Sequence, residues 1–123
     1  MLSLSFISLA YHGELILETR VKRPWGYYRV IHTIGKTIKV KELVIEPGKS
    51  LSNQRHFKRS EMWYVVKGKC MVNDDILSPL TESYNIPAKT WHRGYNPFNE
   101  SCHIIEVQHG IECIEEDIEV NNN

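Results

Sequence analysis

The chain has 123 residues, with 15 Lys plus Arg set against 15 Asp plus Glu and a formal net charge of zero. That length predicts one domain that buries roughly two-thirds of its unfolded surface around a single core. The charge balance excludes general nucleic-acid binding, which draws on a basic excess, but leaves room for a local basic pocket holding a small anion.

Residues 1–10, MLSLSFISLA, are apolar. They fall short of the about 20 residues needed to cross a bilayer and lack the Lys or Arg that opens a signal peptide. The expectation is an N-terminal arm over 1–22 whose strand pairs with a neighbouring subunit, in a cytoplasmic homodimer with no membrane partner. Residues 27–34, 37–46, 62–72, 84–86 and 103–108 follow, each rich in β-branched and aromatic side chains, and are predicted strands. Gly35, Pro47-Gly48, Asn73-Asp74-Asp75, Pro87 and Asn96-Pro97 supply the turns between them. Only the acidic stretch 112–120 carries a trace of helical period, and 119–123 is a tail. Short strands at near-regular spacing predict an all-β sandwich or barrel. Cys70, Cys102 and Cys113, odd in number and without CxxC spacing, predict reduced, partly buried thiols rather than a disulfide frame.

Alternation assigns faces. In 37–46, Lys39, Lys41, Leu43 and Ile45 share one face, and Ile38, Val40, Glu42 and Val44 the other. With the Leu43/Ile45 face inward, Lys41 points into the barrel. Gln54 and His56 share a face after Pro47-Gly48, with Lys58 next if the strand stays regular. Glu61, Trp63 and Val65 share a face on the following strand.

Spacing is more telling than composition. Gly48, Gln54, His56, Glu61 and Gly68 form one block, separated by five, one, four and six residues. Thr81, Pro87, Lys89, His92 and Asn96 form a second, separated by five, one, two and three. The blocks resemble the paired motifs of the cupin superfamily, G-x5-H-x-H-x4-E-x6-G and G-x5-P-x-G-x2-H-x3-N, with Gln54 in place of the first histidine and Thr81 and Lys89 in place of turn glycines. This resemblance implies a double-stranded β-helix, a jelly-roll barrel, as a single domain with its core over 23–118.

A closer resemblance runs through RPWGYYRV at 23–30, KVKELVIEPGKSLSNQRH at 39–56, SEMWYVVKG at 60–68, NIPAKTWHRGYNP at 85–97 and IIEVQHG at 104–110. These stretches are similar to type II mannose-6-phosphate isomerases, commonly the C-terminal domain of a bifunctional enzyme that is also a mannose-1-phosphate guanylyltransferase; here the domain is read as standing alone. No counterpart of the guanylyltransferase domain lies in these 123 residues, so the resemblance implies only the isomerase activity, mannose 6-phosphate to fructose 6-phosphate. Where the family has Q-x-H-H-H-R-A-E, this chain has QRHFKRSE at 54–61, so Phe57 and Lys58 replace two histidines.

The resemblance implies one metal held by Gln54, His56, Glu61 and His92. An aldose–ketose isomerase moves a proton between adjacent carbons, and a cation near their oxygens stabilises the enediolate that builds up. Two imidazoles, a carboxylate and an amide oxygen suit zinc first, as in the similar ligand pattern of type I mannose-6-phosphate isomerases, with iron or manganese as alternatives. The phosphate of the sugar-phosphate substrate needs cationic donors. Lys41, Arg59 and Arg93 lie on the family-like stretches, and Lys58 joins them by alternation, with Arg55 and Lys89 nearby. For proton transfer Lys41 is the first choice, if desolvated, and Glu106 the second.

Plainer readings stand beside these. His12, His32, His103 and His109 read as hydrogen-bonded structural histidines, and Trp25, Trp63 and Trp91 as core, with Trp91 alternatively lining a sugar pocket. Of Arg55, Lys58 and Arg59, two read as solvated. Two rival functions remain: a non-catalytic cupin that binds a sugar or sugar phosphate, kept open by Phe57 and Lys58, and an iron cupin oxygenase.

Overall fold

The structure, a computed structural model, describes the backbone of residues 2–9 and 15–122 and the side chains of 19–122. His12 lies outside the described residues. Among these, twelve strands and no helix succeed one another: β1 (Leu2–Leu9), β2 (Leu15–Arg23), β3 (Gly26–Ile34), β4 (Ile38–Ile45), β5 (Asn53–Arg55), β6 (Arg59–Lys67), β7 (Cys70–Val72), β8 (Asp75–Leu77), β9 (Tyr84–Ile86), β10 (Gly94–Tyr95), β11 (Cys102–Gly110) and β12 (Glu119–Asn121). With no helix there is, among the described residues, none long and apolar enough to cross a membrane.

One wall is an antiparallel sheet in the order β1-β2-β3-β4-β11-β6-β9. The other is built from β10-β7-β8 and β12-β5, joined where residues 48–54 run antiparallel to 92–96 through the bridges Ser50 to Tyr95 and Gln54 to His92. The two walls make the expected all-β jelly roll. Leu43, Ile45, Trp63, Val65, Ile86 and Ile104 from the first wall meet Leu51, Cys70, Val72 and Leu77 from the second in one core. Burial follows alternation: on β6, Glu61, Trp63 and Val65 are buried while Tyr64 and Val66 are exposed. Lys41, Leu43 and Ile45 all point inward, as expected.

β1 pairs with β2 of its own chain, Leu2 against Val21 through Leu9 against Leu15, and forms an edge of the sheet. Three features differ from the sequence expectation. The single strand expected over 62–72 breaks into β6 and β7 at Gly68, whose φ of 77° and a Cβ position 2.3 Å from the Ser101 carbonyl oxygen admit no side chain. The acidic stretch 112–120 is not helical, because tertiary partners take its polar groups. Cys113 N–H donates to Lys36 O at 2.7 Å, and the Asp117 carboxylate accepts from the N–H groups of Phe57 and Lys58. Last, Lys89 occupies a left-handed turn, φ 69°, where the motif places glycine. The three thiols are free and buried.

Candidate metal centre and its cavity

The two sequence blocks meet through their backbones. Gln54 N–H donates to His92 O and His92 N–H to Gln54 O, both at 2.9 Å, which sets His92 beside β5, the strand that leads into His56. β6 presents Glu61 from the facing wall. His56, Glu61 and His92 are 4%, 2% and 1% exposed, and one ligand atom from each lies within 4.8 Å of the others.

Both imidazoles are held from behind. His56 Nδ1 lies 2.7 Å from Asp117 O, and His92 Nδ1 3.0 Å from Thr90 O. A carbonyl only accepts, so each Nδ1 carries the proton and each Nε2 presents a lone pair. Burial lowers the His56 pKa against the pull of Glu61, which keeps that ring neutral. His56 Nε2 is 3.3 Å from Glu61 Oε2, and His92 Nε2 is 3.6 Å from Glu61 Oε1. Three acceptors therefore face one another out of water, and His92 Nε2 has no hydrogen-bond partner among the described residues. Arg59 already donates toward Glu61 and His56, which leaves the His92 lone pair as the acceptor that a bound cation would satisfy. A divalent metal fits this donor set.

Arg59 steadies the carboxylate. Its Nε donates to Glu61 Oε2 at 2.9 Å, Nη2 lies 3.3 Å from His56 Nε2, and Nη1 donates to Ile114 O at 3.1 Å. Burial alone pushes the Glu61 carboxyl up, but the Arg59 charge beside it helps to hold it well below the usual carboxylate range. Trp63 Nε1–H is shared, 3.0 Å from both Glu61 Oε1 and Glu106 Oε2. Glu106 is 4% exposed; burial, then the neighbouring Glu61 charge, push its pKa up to about 8. Gln108 Nε2 donates to Glu106 Oε1 at 2.9 Å, while Gln108 Oε1 is buried without a partner among the described residues.

His56, Glu61 and Gln108, though not His92, border a cavity of about 530 Å³, within the roughly 300–1,000 Å³ of small-molecule sites. Gln54, Lys41, Arg59 and Glu106 line it, as do Arg23, Tyr28, Trp25 and Glu115. Lys41, buried, pairs its ammonium with the Glu115 carboxylate and lies 4.2 Å from the centre of the Tyr28 ring.

Two of the expected substrate-binding residues lie elsewhere. Lys58 is exposed and pairs with Glu112 at 3.2 Å, because β5 ends at Arg55 and Asp117 turns the next residues outward. Arg93 is exposed with its guanidinium 4.7 Å over Tyr95, since alternation sends it away from the side that His92 faces. Arg55 is held by Glu119 and lies over the rings of Phe57 and Trp91, and neither Arg55 nor Trp91 lines the cavity. Phe57 and Lys58, which replace two family histidines, are exposed and also lie outside it.

Sequence reasoning missed Gln108, although Ile104, Glu106 and Gln108 alternate on one buried face of β11. It also passed over Arg23 and Tyr28 inside RPWGYYRV. Glu115 and Asp117 had no local signal, because their roles depend on where the C-terminal segment docks.

The family described as "Mannose-6-phosphate isomerase C-terminal" matches residues 11–123. The Xanthan biosynthesis protein XanB of Xanthomonas campestris pv. campestris (strain B100) is 39% identical over 118 residues, which are 93% of this chain and 25% of that protein. A mannose-1-phosphate guanylyltransferase of Salmonella muenchen is 37% identical over 101 residues, 80% of this chain and 21% of that protein. The chain thus spans about a quarter of the length of the curated relatives it matches. Among solved structures, a cupin-2 domain from Rhodospirillum rubrum superposes with a TM-score of 0.63 at 18% identity, over 79% of this chain and 66% of that one. The family match across most of the sequence leads to one conclusion, with which the jelly-roll fold shared with that cupin-2 domain agrees: the chain belongs to the mannose-6-phosphate isomerase C-terminal family.

Proposed function

We propose that this domain is a metal-dependent aldose–ketose isomerase of sugar phosphates, with mannose 6-phosphate and fructose 6-phosphate as its leading pair. One observation carries the reading: the lone pairs of His56 and His92 and the Glu61 carboxylate converge out of water, with His92 Nε2 unpartnered among the described residues. Gln54, on the cavity wall, would add an amide oxygen as fourth ligand. Zinc suits this set best, with iron and manganese as alternatives. Bound there, the metal would supply Lewis-acid stabilisation to the oxygens of the two carbons between which the carbonyl shifts.

The chain's own residues would do the rest. Glu106 has a pKa brought near neutrality in an enclosed cavity, which suits a group that takes the proton from C2 and returns it to C1. That moves Glu106 ahead of Lys41, whose ammonium is paired with Glu115 and suits charge stabilisation better than proton carriage. Arg59 would hold the Glu61 carboxylate in place rather than grip the phosphate. The exposure of Phe57 and Lys58 weakens the case for a merely sugar-binding cupin, because neither replacement touches the cavity.

Coupled detection of fructose 6-phosphate from mannose 6-phosphate tests the proposal, using protein loaded in turn with zinc, iron and manganese. Turnover that is lost in Glu106→Gln supports it. Absence of product from every hexose and pentose phosphate, with each metal bound, leaves a binding domain instead.

A further inference from the structure

The expected phosphate donors Lys58 and Arg93 are outside the cavity, yet two other cationic groups besides Arg59 line it. Arg23 and Lys41 both lie over the Tyr28 ring, at 5.5 and 4.2 Å from its centre. Lys41 is only 5% exposed, and a buried ammonium demands an anion. That anion is the Glu115 carboxylate, 47% exposed, on the segment between β11 and β12 rather than on a strand. Tyr28 has its pKa raised by burial and by the same carboxylate, so its hydroxyl also faces Glu115.

Register places this group relative to the metal centre. Lys41 on β4 is directly opposite Glu106 on β11, and Glu106 is directly opposite Trp63 on β6, the strand that carries Glu61. Lys41 thus stands two strand spacings, roughly 10 Å, from the Glu61 strand. A six-carbon sugar with its carbonyl at one end and a phosphate at the other bridges a comparable span. Both ends share one cavity.

We propose that Arg23, Tyr28 and Lys41 form a seat for the phosphate of a phosphomonoester, and that the Glu115 carboxylate is a resident stand-in which the phosphate displaces. A phosphomonoester carries nearly two charges and three strong acceptor oxygens at neutral pH, against one charge and two oxygens for Glu115. It satisfies the ammonium, the guanidinium and the phenol together. Glu115, half exposed and on an irregular segment, is free to swing into solvent when replaced. The sugar end of this inference rests on the isomerase reading; the phosphate seat itself requires no turnover.

Inorganic phosphate titrated into the full chain, with and without a chelator, is the test, followed by calorimetry or NMR shifts. Removing the competing charge in Glu115→Gln tightens phosphate about tenfold, and Arg23→Ala weakens it about tenfold, under both conditions. Arg23 is exposed, so its removal leaves the fold intact, and circular dichroism checks both variants. Phosphate affinity that is the same in wild type and both variants, or that vanishes on chelation, overturns the seat. If the variants shift phosphate binding while no sugar phosphate is isomerised, the seat stands and the isomerase reading falls. If mannose 6-phosphate is isomerised with the same KM in both variants, the isomerase stands and the seat falls.

Discussion

His92 Nε2 faces Glu61 Oε1 at 3.6 Å, a lone pair against a carboxylate oxygen, with nothing else among the described residues to satisfy the imidazole nitrogen. Proteins rarely bury such a contact without a cation to join the two. His92→Ala should therefore lower divalent-metal affinity by at least about 100-fold, since loss of even outer-shell partners costs 10–100-fold. Elemental analysis after gel filtration measures it, with circular dichroism to confirm a folded β-protein. Stoichiometric metal in that variant would dismiss the site.

Glu106 ties stability to pH in the metal-free protein. Its folded pKa of about 8 lies above the unfolded value of about 4.3, so the folded state holds the proton longer. The contribution is full below about pH 4 and is lost as pH rises toward 8. Relative to Glu106→Gln, the metal-free wild type should lose melting temperature between pH 5 and 8. Parallel curves for the two proteins across that window would show that Glu106 is ionised throughout.

Asp117 works in the opposite direction. Burial would raise its pKa, but N–H donation from Phe57 at 3.0 Å and Lys58 at 2.8 Å lowers it. Its stabilisation is present above the unfolded value of about 3.9 and is lost as pH falls through the lower folded value. An asparagine keeps only one acceptor for those two donors. Asp117→Asn should cost about 1–2 kcal/mol at pH 7 by urea denaturation, with the difference closing as pH falls through the lowered folded value. The same aspartate's carbonyl orients His56, so the variant reads segment docking rather than ligand chemistry.

Lys89 sits at φ 69°, in a region costing a side-chain-bearing residue about 1–2 kcal/mol. Glycine removes that cost and adds about 0.5–1 kcal/mol of unfolded-state entropy. Lys89→Gly should thus stabilise the protein by up to about 1 kcal/mol, seen as a higher urea midpoint with unchanged slope. Lys89 is exposed and its N–H donates to His56 O at 2.6 Å, a bond the glycine retains.

Much of this was legible before any coordinates. Alternation put Lys41 on the face of Leu43 and Ile45, and grouped Glu61 with Trp63, because a strand has only two faces. The resemblance to the paired motifs implied that His56, Glu61 and His92 share a centre, and the three side chains do converge. Alternation failed for Lys58, where β5 stops at Arg55 and a distant aspartate claims the following backbone groups. It would have succeeded for Arg93, which directly follows the inward His92, had that rule been applied to the second block. The trace of helical period in 112–120 misled, since Cys113 and Asp117 are tied to residues far away in the chain.

Local rules act through neighbours in the chain, so the sequence by itself determined the strands, their inward faces, the free thiols and the residues able to ligate. Only the tertiary structure decided which cations reach the cavity, that Glu115 neutralises Lys41, and that Asp117 and Thr90 aim the two imidazoles. Those pairings join residues that meet only after both walls of the barrel have closed, where burial rather than chain proximity makes an unpartnered charge or lone pair costly.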